Sequence, residues 1–312
     1  MRKTSAVLAS LSLAALALTG CSVTASSADA SCDRSGHDNG IGEAVSVEGE
    51  VGSMPEVDIY APLRLTETSY TDVVTGDGRA VVDSTQPIIA QLSIYSGETG
   101  EQVFTTSYDA DNTRASSIDS WAAQAPGLKE VLECATAGTR VVAGLTPEDF
   151  GENNLKGFGM AEDDTAVFVV DVVDAFHSRA EGSLQFNDAQ GMPTVVRAPD
   201  GTPGVIIPDG PAPEEQVVQT LILGDGEKVT KDDAPLVHFT AVDWEEKSVL
   251  QSSWGQQATD QMAQIAAPVA EALVGRPVGS QVLVVLPKTE NSAAMAIVVD
   301  ILGIAPASSS AP

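Results

Sequence analysis

Five short motifs occur twice in this chain, in the same order, and this internal repeat constrains the fold more than any single motif does. The paired motifs begin, in the first and second copy respectively, at Met54 and Met192, Val74 and Ile222, Phe104 and Leu250, Ala137 and Val278, and Phe168 and Ile297. Five matches in one order are hard to attribute to chance. The sequence therefore predicts two copies of one domain, at residues 43–178 and 182–305, each of ordinary domain size.

Strand signals dominate both copies. Residues 167–173 and 282–286 are short runs dense in β-branched side chains and bounded by turn formers, which is typical of buried strands. The Gly-Asp-Gly sequences at residues 76–78 and 224–226 lack the remaining residues of a phosphate-binding loop. We therefore expect them to form hairpin turns.

One helix is expected in each copy. Apolar residues recur at helical spacing over residues 128–135 in the first copy and 262–273 in the second. Pro268 interrupts the second pattern, so that helix should start late or kink. The predicted fold class is α+β, in which a bent antiparallel sheet packs on one short helix in each copy.

The first twenty residues have the organisation of an export signal. Arg2 and Lys3 precede an apolar run over residues 6–18, and Leu18-Thr19-Gly20-Cys21 resembles a lipobox. The apolar run is shorter than the roughly 20 residues of a membrane span. We expect cleavage before Cys21 and a lipid anchor on its thiol, which would hold the protein at the extracytoplasmic face of the cell membrane. An ordinary buried cysteine is the alternative.

The segments on either side of the two copies are poor in large apolar residues. Residues 21–42 are rich in Ser, Ala, Asp and Gly and should form a flexible tether, because they cannot bury enough surface to offset their ordering entropy. Residues 306–312 should form a disordered tail.

Charge and cysteine content exclude several functions. The net charge of −28 makes nucleic acid an unsuitable partner, because phosphate binding requires clustered Lys and Arg. The three histidines are scattered without ligand spacing, so we expect no metal site and no cofactor.

Once Cys21 is set aside, Cys32 and Cys134 remain. In an oxidising location these two cysteines form a disulfide or stay as two free thiols.

The order of the motifs resembles FKBP-type peptidyl-prolyl isomerases. The residues that carry the resemblance are Phe104-Thr105-Thr106-Ser107, the helix, Ala137-Gly138, Pro147-Glu148-Asp149-Phe150-Gly151 and Phe168-Val169-Val170-Asp171. The resemblance implies two FKBP-like domains in a bacterial, by expectation actinobacterial, lipoprotein. It also implies catalysis of rotation about X-Pro bonds, whose barrier is about 18–20 kcal/mol, in an apolar pocket that favours the twisted amide.

The resemblance assigns Phe104, Phe150 and Phe168 to the walls of that pocket in the first copy. It places the pocket floor at Leu128, where the family has tryptophan, a backbone donor near Ala125, and Tyr95 one residue from the family's tyrosine position. The flatter floor predicts low activity. Trp121, Trp244 and Trp254 match no pocket position.

The second copy departs further from the family. Leu250, Val269 and Ile297 occupy the wall, floor and closing-strand positions, and the stretch before Asp300 is too short to hold the flap. We expect this copy to be inactive.

Three functions remain open at this point. The first is a surface-anchored isomerase or folding helper whose partners are proline-containing peptides or unfolded secreted proteins. The second is a non-catalytic peptide- or protein-binding lipoprotein with the same fold. The third is a small-molecule-binding or structural envelope lipoprotein.

Overall fold

The computed structural model describes residues 32, 34, 36–109, 114–186 and 189–305. The predicted signal peptide, Cys21 and the predicted tail lie outside these ranges. Within the described part of the chain, no helix is long and apolar enough to cross a membrane.

Twelve helices and strands precede residue 176 in the described ranges. In chain order they are α1 (Ile41–Ala44), β1 (Val45–Glu48), β2 (Glu56–Ile59), β3 (Ser69–Val74), β4 (Ile88–Ser96), β5 (Gln102–Thr105), α2 (Ile118–Ala122), α3 (Leu128–Leu132), β6 (Thr139–Leu145), α4 (Pro147–Phe150), α5 (Glu152–Gly157) and β7 (Ala166–Ala175). Strands β5-β4-β7-β6-β3 form one antiparallel sheet in that order, and β1 and β2 form a separate hairpin.

The remaining elements repeat this arrangement. They are β8 (Ser183–Leu184), β9 (Thr194–Arg197), β10 (Pro203–Ile206), β11 (Val217–Leu223), β12 (Pro235–Asp243), β13 (Val249–Ser252), α6 (Met262–Ile265), α7 (Ala267–Leu273), β14 (Gln281–Leu286) and β15 (Met295–Ile304). The sheet order β13-β12-β15-β14-β11 matches that of the first sheet, with β8 added at one edge. The predicted α+β class and the repeat are therefore what the structure shows.

Both faces of the first sheet are covered. Strand β7 contains five valines, and most of its residues are buried, as expected of a strand between two layers. One face packs on the short helices, through Phe168 and Leu128. The other face packs on α1 and the β1–β2 hairpin, through Val167 and Val169.

The first Gly-Asp-Gly sequence is not a hairpin turn, because β3 and β4 lie at separate positions in the sheet and do not pair. Gly76 instead lies against the turn that precedes β6. A Cβ added at Gly76 would overlap the carbonyl oxygen of Ala137, and the Gly76 N–H donates to Thr139 Oγ1 at 3.0 Å. Glycine is required here for close backbone approach.

The second copy contains the same contact. A Cβ at Gly224 would overlap the carbonyl oxygen of Val278, and the Gly224 N–H donates to Ser280 Oγ at 3.1 Å. Two of the repeated motifs thus contact each other in both copies.

The prediction of one helix per copy is wrong in detail. In the first copy α2, α3, α4 and α5 are separate short helices, and α3 ends at Leu132 because Glu133 leaves the helical region and Cys134 has a φ of 63°. In the second copy Ala266 is extended and separates α6 from α7, and Pro268 lies in the first turn of α7. Proline is tolerated there because its missing N–H has no partner within the helix.

The predicted flexible tether extends too far, because several of its last residues are fixed to the first copy. Cys32 forms a disulfide with Cys134, with the two Cα atoms 5.3 Å apart. The Arg34 guanidinium donates to both carboxylate oxygens of Asp72 at 2.8 Å and to the carbonyl oxygens of Val131 and Glu133 at 2.7 Å. These contacts offset the ordering entropy, which composition alone does not reveal.

Candidate functional site

A cavity of about 200 Å³ lies in the first copy between the sheet and the short helices. Its walls are uncharged and mainly apolar. They consist of Leu92, Ile94, Phe104, Trp121, Gln124, Ala125, Leu128, Phe150, Asn154, Phe158 and Phe168.

Neighbouring strands form the sheet side of the cavity. Ile94 on β4 pairs directly with Phe104 on β5 and with Phe168 on β7, so the three side chains form a row across one face. Phe168 is 1% exposed, whereas Phe104 on the edge strand is 40% exposed. The row therefore runs from the core of the domain to its surface.

The flap over the cavity is helical. Thr146 caps α4, where its side chain accepts a hydrogen bond from the Asp149 N–H, and Pro147 occupies the first turn. These features direct Phe150 inward, where it is 2% exposed. Phe158 follows α5 and also faces the cavity.

Four phenylalanine rings are in contact around the cavity. Phe150 meets Phe168 edge-on at 5.4 Å between ring centroids and stacks on Phe158 at 5.9 Å. Phe158 in turn lies 5.7 Å from Phe104. Such aromatic pairs contribute stability beyond their area burial, and together the four rings form a continuous aromatic wall.

The structure thus brings together Phe104, Phe150, Phe168 and Leu128 as the sequence predicted. Sequence reasoning missed Phe158, although Leu155 and Phe158 lie three residues apart, the spacing of neighbours on one helix face.

Tyr95 does not line the cavity, contrary to the prediction from the family's tyrosine position. Successive residues of a strand point to opposite faces of the sheet. Because Ile94 faces the cavity, Tyr95 packs on the other side with Ile41 and Val45. Burial there raises the pKa of the Tyr95 hydroxyl.

Ala125 lines the cavity but does not offer the predicted free backbone donor. Its N–H donates to the Trp121 carbonyl oxygen at 3.0 Å in the turn that ends α2. Trp121 itself, which matched no pocket position in the sequence, forms part of the wall, and its indole Nε1 donates to Ser116 Oγ at 2.8 Å. The pocket therefore has a tryptophan, but on α2, whereas Leu128 occupies the expected floor position.

In the second copy, the positions that correspond to the wall, floor and closing strand of this cavity have different environments. Val269 and Ile297 are buried in its core, and Leu250 is 51% exposed at the edge of the sheet. The described segment between β14 and β15 contains no helix, so α4 and α5 have no counterpart.

A larger cavity of about 590 Å³ lies elsewhere in the second copy. Trp244 and a proline-rich loop line it, together with the charged side chains of Asp209, Glu245 and Lys247. Its walls are therefore partly charged, unlike those of the smaller cavity in the first copy.

No group of three or more His, Cys, Asp or Glu residues suited to holding a metal ion occurs within the described ranges.

No protein-family model matches the chain. Over 59 residues it is 36% identical to a curated protein of Corynebacterium glutamicum named as a probable FK506-binding protein. The match covers 19% of this chain and 50% of the relative, so the chain spans about half the length of the curated relative that it matches.

Two of the solved structures to which this chain is similar come from wheat and from Escherichia coli. The three FKBP domains of wheat FKBP73 are 14% identical, with a TM-score of 0.34 over 76% of this chain and 94% of that one. FkpA from Escherichia coli is 22% identical, with a TM-score of 0.29 over 35% of this chain and 47% of that one.

This relative is actinobacterial, as expected, and it is named for the family that the motifs of this chain resemble. The resemblance of this chain to FKBP-type peptidyl-prolyl isomerases is therefore confirmed over the matched stretch.

Proposed function

We propose that the first copy is a peptidyl-prolyl cis-trans isomerase that helps exported proteins to fold. The observation that carries this proposal is the cavity walled by four contacting phenylalanines, a tryptophan and Leu128. A cavity of about 200 Å³ has room for a proline ring and part of its neighbours.

The chemistry requires no acid, base or metal. Rotation about an X-Pro bond passes through a twisted amide with less conjugation, against a barrier of about 18–20 kcal/mol. The uncharged walls remove water from the amide, which favours the twisted form over the planar one. Leu128 provides a flatter floor than tryptophan would, so we expect turnover to be slow. The second copy, which lacks α4 and α5, is expected to be inactive.

The proposed location is the extracytoplasmic face of the cell membrane, through a lipid on Cys21. The lipobox-like sequence supports this location, and so does the Cys32–Cys134 disulfide, because disulfides persist in oxidising compartments. The expected partners are therefore proline-containing segments of secreted chains. Metabolic labelling with a tagged fatty acid tests the anchor: the wild-type protein should carry the label, and Cys21→Ala should lose it.

Turnover of short Xaa-Pro peptides by the full chain tests the activity. Phe104→Ala should lower kcat/KM by about tenfold or more, since removing a wall phenylalanine costs about 1.5–3 kcal/mol of binding. Leu250→Ala is the matched control, because Leu250 occupies the same repeat position in the second copy and is similarly exposed. Equal activity of wild type and Phe104→Ala would contradict this assignment of the site.

A non-catalytic binding function is the second candidate. It is favoured by the Ala125 N–H, which is bonded to Trp121 and so does not point to a substrate. Binding of a proline peptide by wild type without any measurable turnover would favour this candidate over catalysis.

A further inference from the structure

The cavity of the first copy offers few polar groups to a peptide. Nine of its eleven lining residues are apolar, and the two polar ones are Gln124 and Asn154. The N–H groups of Ala125 and of the Trp121 indole already donate within the chain. A bound peptide still carries carbonyl oxygens that lose water on entry, and burying them without a donor is costly.

The side-chain N–H groups of Asn154 already donate hydrogen bonds within the protein. Its Nδ2 donates to the carbonyl oxygen of Gln124 at 2.5 Å and to that of Phe150 at 2.6 Å. The bond to Gln124 ties α5 of the flap to the segment that follows α2, and the bond to Phe150 ties α5 to the end of α4. The first of these bonds holds the backbone from which the Gln124 side chain extends.

Gln124 is placed differently. It is exposed at the rim of the cavity, and within the described part of the chain its side-chain carboxamide has no hydrogen-bond partner. A glutamine carboxamide carries two N–H donors on a side chain that can rotate toward a ligand.

We propose that the Gln124 carboxamide donates a hydrogen bond to a main-chain carbonyl oxygen of the bound Xaa-Pro peptide, in place of the Ala125 N–H. Asn154 is then a positioning residue, which holds the Gln124 backbone against the flap. This assignment rests on the proposed function of the same cavity.

The test measures peptide turnover and peptide binding by the full chain with Gln124→Ala and Gln124→Glu. Gln124→Glu keeps the length and the acceptors of the side chain but removes its donors. Both variants should raise KM and the dissociation constant by about three- to tenfold, the range expected for one hydrogen bond, with kcat changed by less than about twofold. Gln264→Glu is the matched control: Gln264 is an exposed glutamine of the second copy, outside the cavity, and its replacement should have no effect.

A double-mutant cycle with Asn154→Ala tests the positioning role. If Asn154 acts through Gln124, adding Gln124→Ala to Asn154→Ala should cause little further loss of binding, whereas independent structural roles would give additive losses. Thermal melts establish that each variant is folded.

Two results would overturn the proposal, and they differ in what else they imply. Wild-type binding or turnover that survives Gln124→Ala and Gln124→Glu would remove Gln124 from the site and leave the proposed function standing. Absence of both binding and turnover in wild type would reject the proposed function and this assignment together.

Discussion

Arg140 and Asp171 form a fully buried ion pair across strands β6 and β7. The guanidinium donates from Nε to Oδ1 at 2.6 Å and from Nη2 to Oδ2 at 2.7 Å, with side chains that are 1% and 0% exposed. The remaining guanidinium donors reach carbonyl oxygens of the loop before β2, and the Gly52 N–H donates to Asp171. The pair thus fixes the loop between β1 and β2, and this hairpin covers the face of the first sheet that lies opposite the cavity.

Replacing one partner of this pair should be strongly destabilising. Arg140→Met leaves the Asp171 carboxylate buried without a cation, and we expect a loss of about 3–5 kcal/mol in the free energy of unfolding. Denaturant titration followed by tryptophan fluorescence measures it. Arg64→Met is the control: Arg64 forms ion pairs on the surface, so its replacement should leave the unfolding transition nearly unchanged. Equal effects of the two variants would contradict the expectation.

The second copy has glutamine where the first has Arg140. Gln281 Nε2 donates to Asp300 Oδ1 at 2.7 Å, and the Ala180 N–H donates to Oδ2 at 2.8 Å. Burial without a cation in hydrogen-bond contact raises the pKa of Asp300 to about 6. The folded state therefore binds a proton more tightly than the unfolded state does.

The protonated Asp300 carboxyl should accordingly contribute in full to the free energy of unfolding below its unfolded pKa, near 4. This contribution should be lost as pH rises through about 6, the folded pKa. A shift of this size corresponds to about 3 kcal/mol. Denaturant titrations at pH 4 to 7.5 should show that this contribution disappears in Asp300→Asn. If wild type and Asp300→Asn keep the same difference in stability at every pH, the carboxyl group does not titrate in this range.

The two glycine contacts shared by the copies should be intolerant of a side chain. Gly76→Ala and Gly224→Ala place a methyl group against a carbonyl oxygen of the facing turn, and we expect each to cost about 1–3 kcal/mol. Gly157→Ala is the control, because Gly157 ends α5 and nothing lies within 4 Å of its added Cβ. Thermal melts that rank Gly157→Ala as the most harmful of the three would be inconsistent with these contacts.

The Cys32–Cys134 disulfide should contribute strongly to the stability of the first copy. It closes a loop between residues 102 positions apart, for which chain-entropy arguments give about 4–5 kcal/mol. Comparing the melting temperature of the oxidised protein with that of Cys32→Ser/Cys134→Ser measures this contribution. A reduced protein that melts like the oxidised one would show that the contacts of Arg34 suffice to fix this segment.

Repetition and residue type were enough to predict the α+β class and the two copies, whereas the meeting of Phe104, Phe150 and Phe168 was predicted from the resemblance to FKBP-type isomerases. Tyr95 was misplaced by a single residue, because the alternation of a strand turns neighbouring side chains to opposite faces. Phe158 and Trp121 were missed because α5 and α2 are only one to two turns long, too short for periodicity to mark. The fixed segment around Arg34 was missed because its partners lie far along the chain.

The exposures of the three predicted wall residues have an evolutionary consequence. Phe150 and Phe168 are as buried as core residues, so selection for folding alone would retain them, whereas Phe104 is 40% exposed. A lineage that abandoned prolyl isomerisation could replace Phe104 at little cost to its fold. Related sequences should therefore divide at this position, with an aromatic retained where a ligand still binds and an aliphatic residue where binding has been lost.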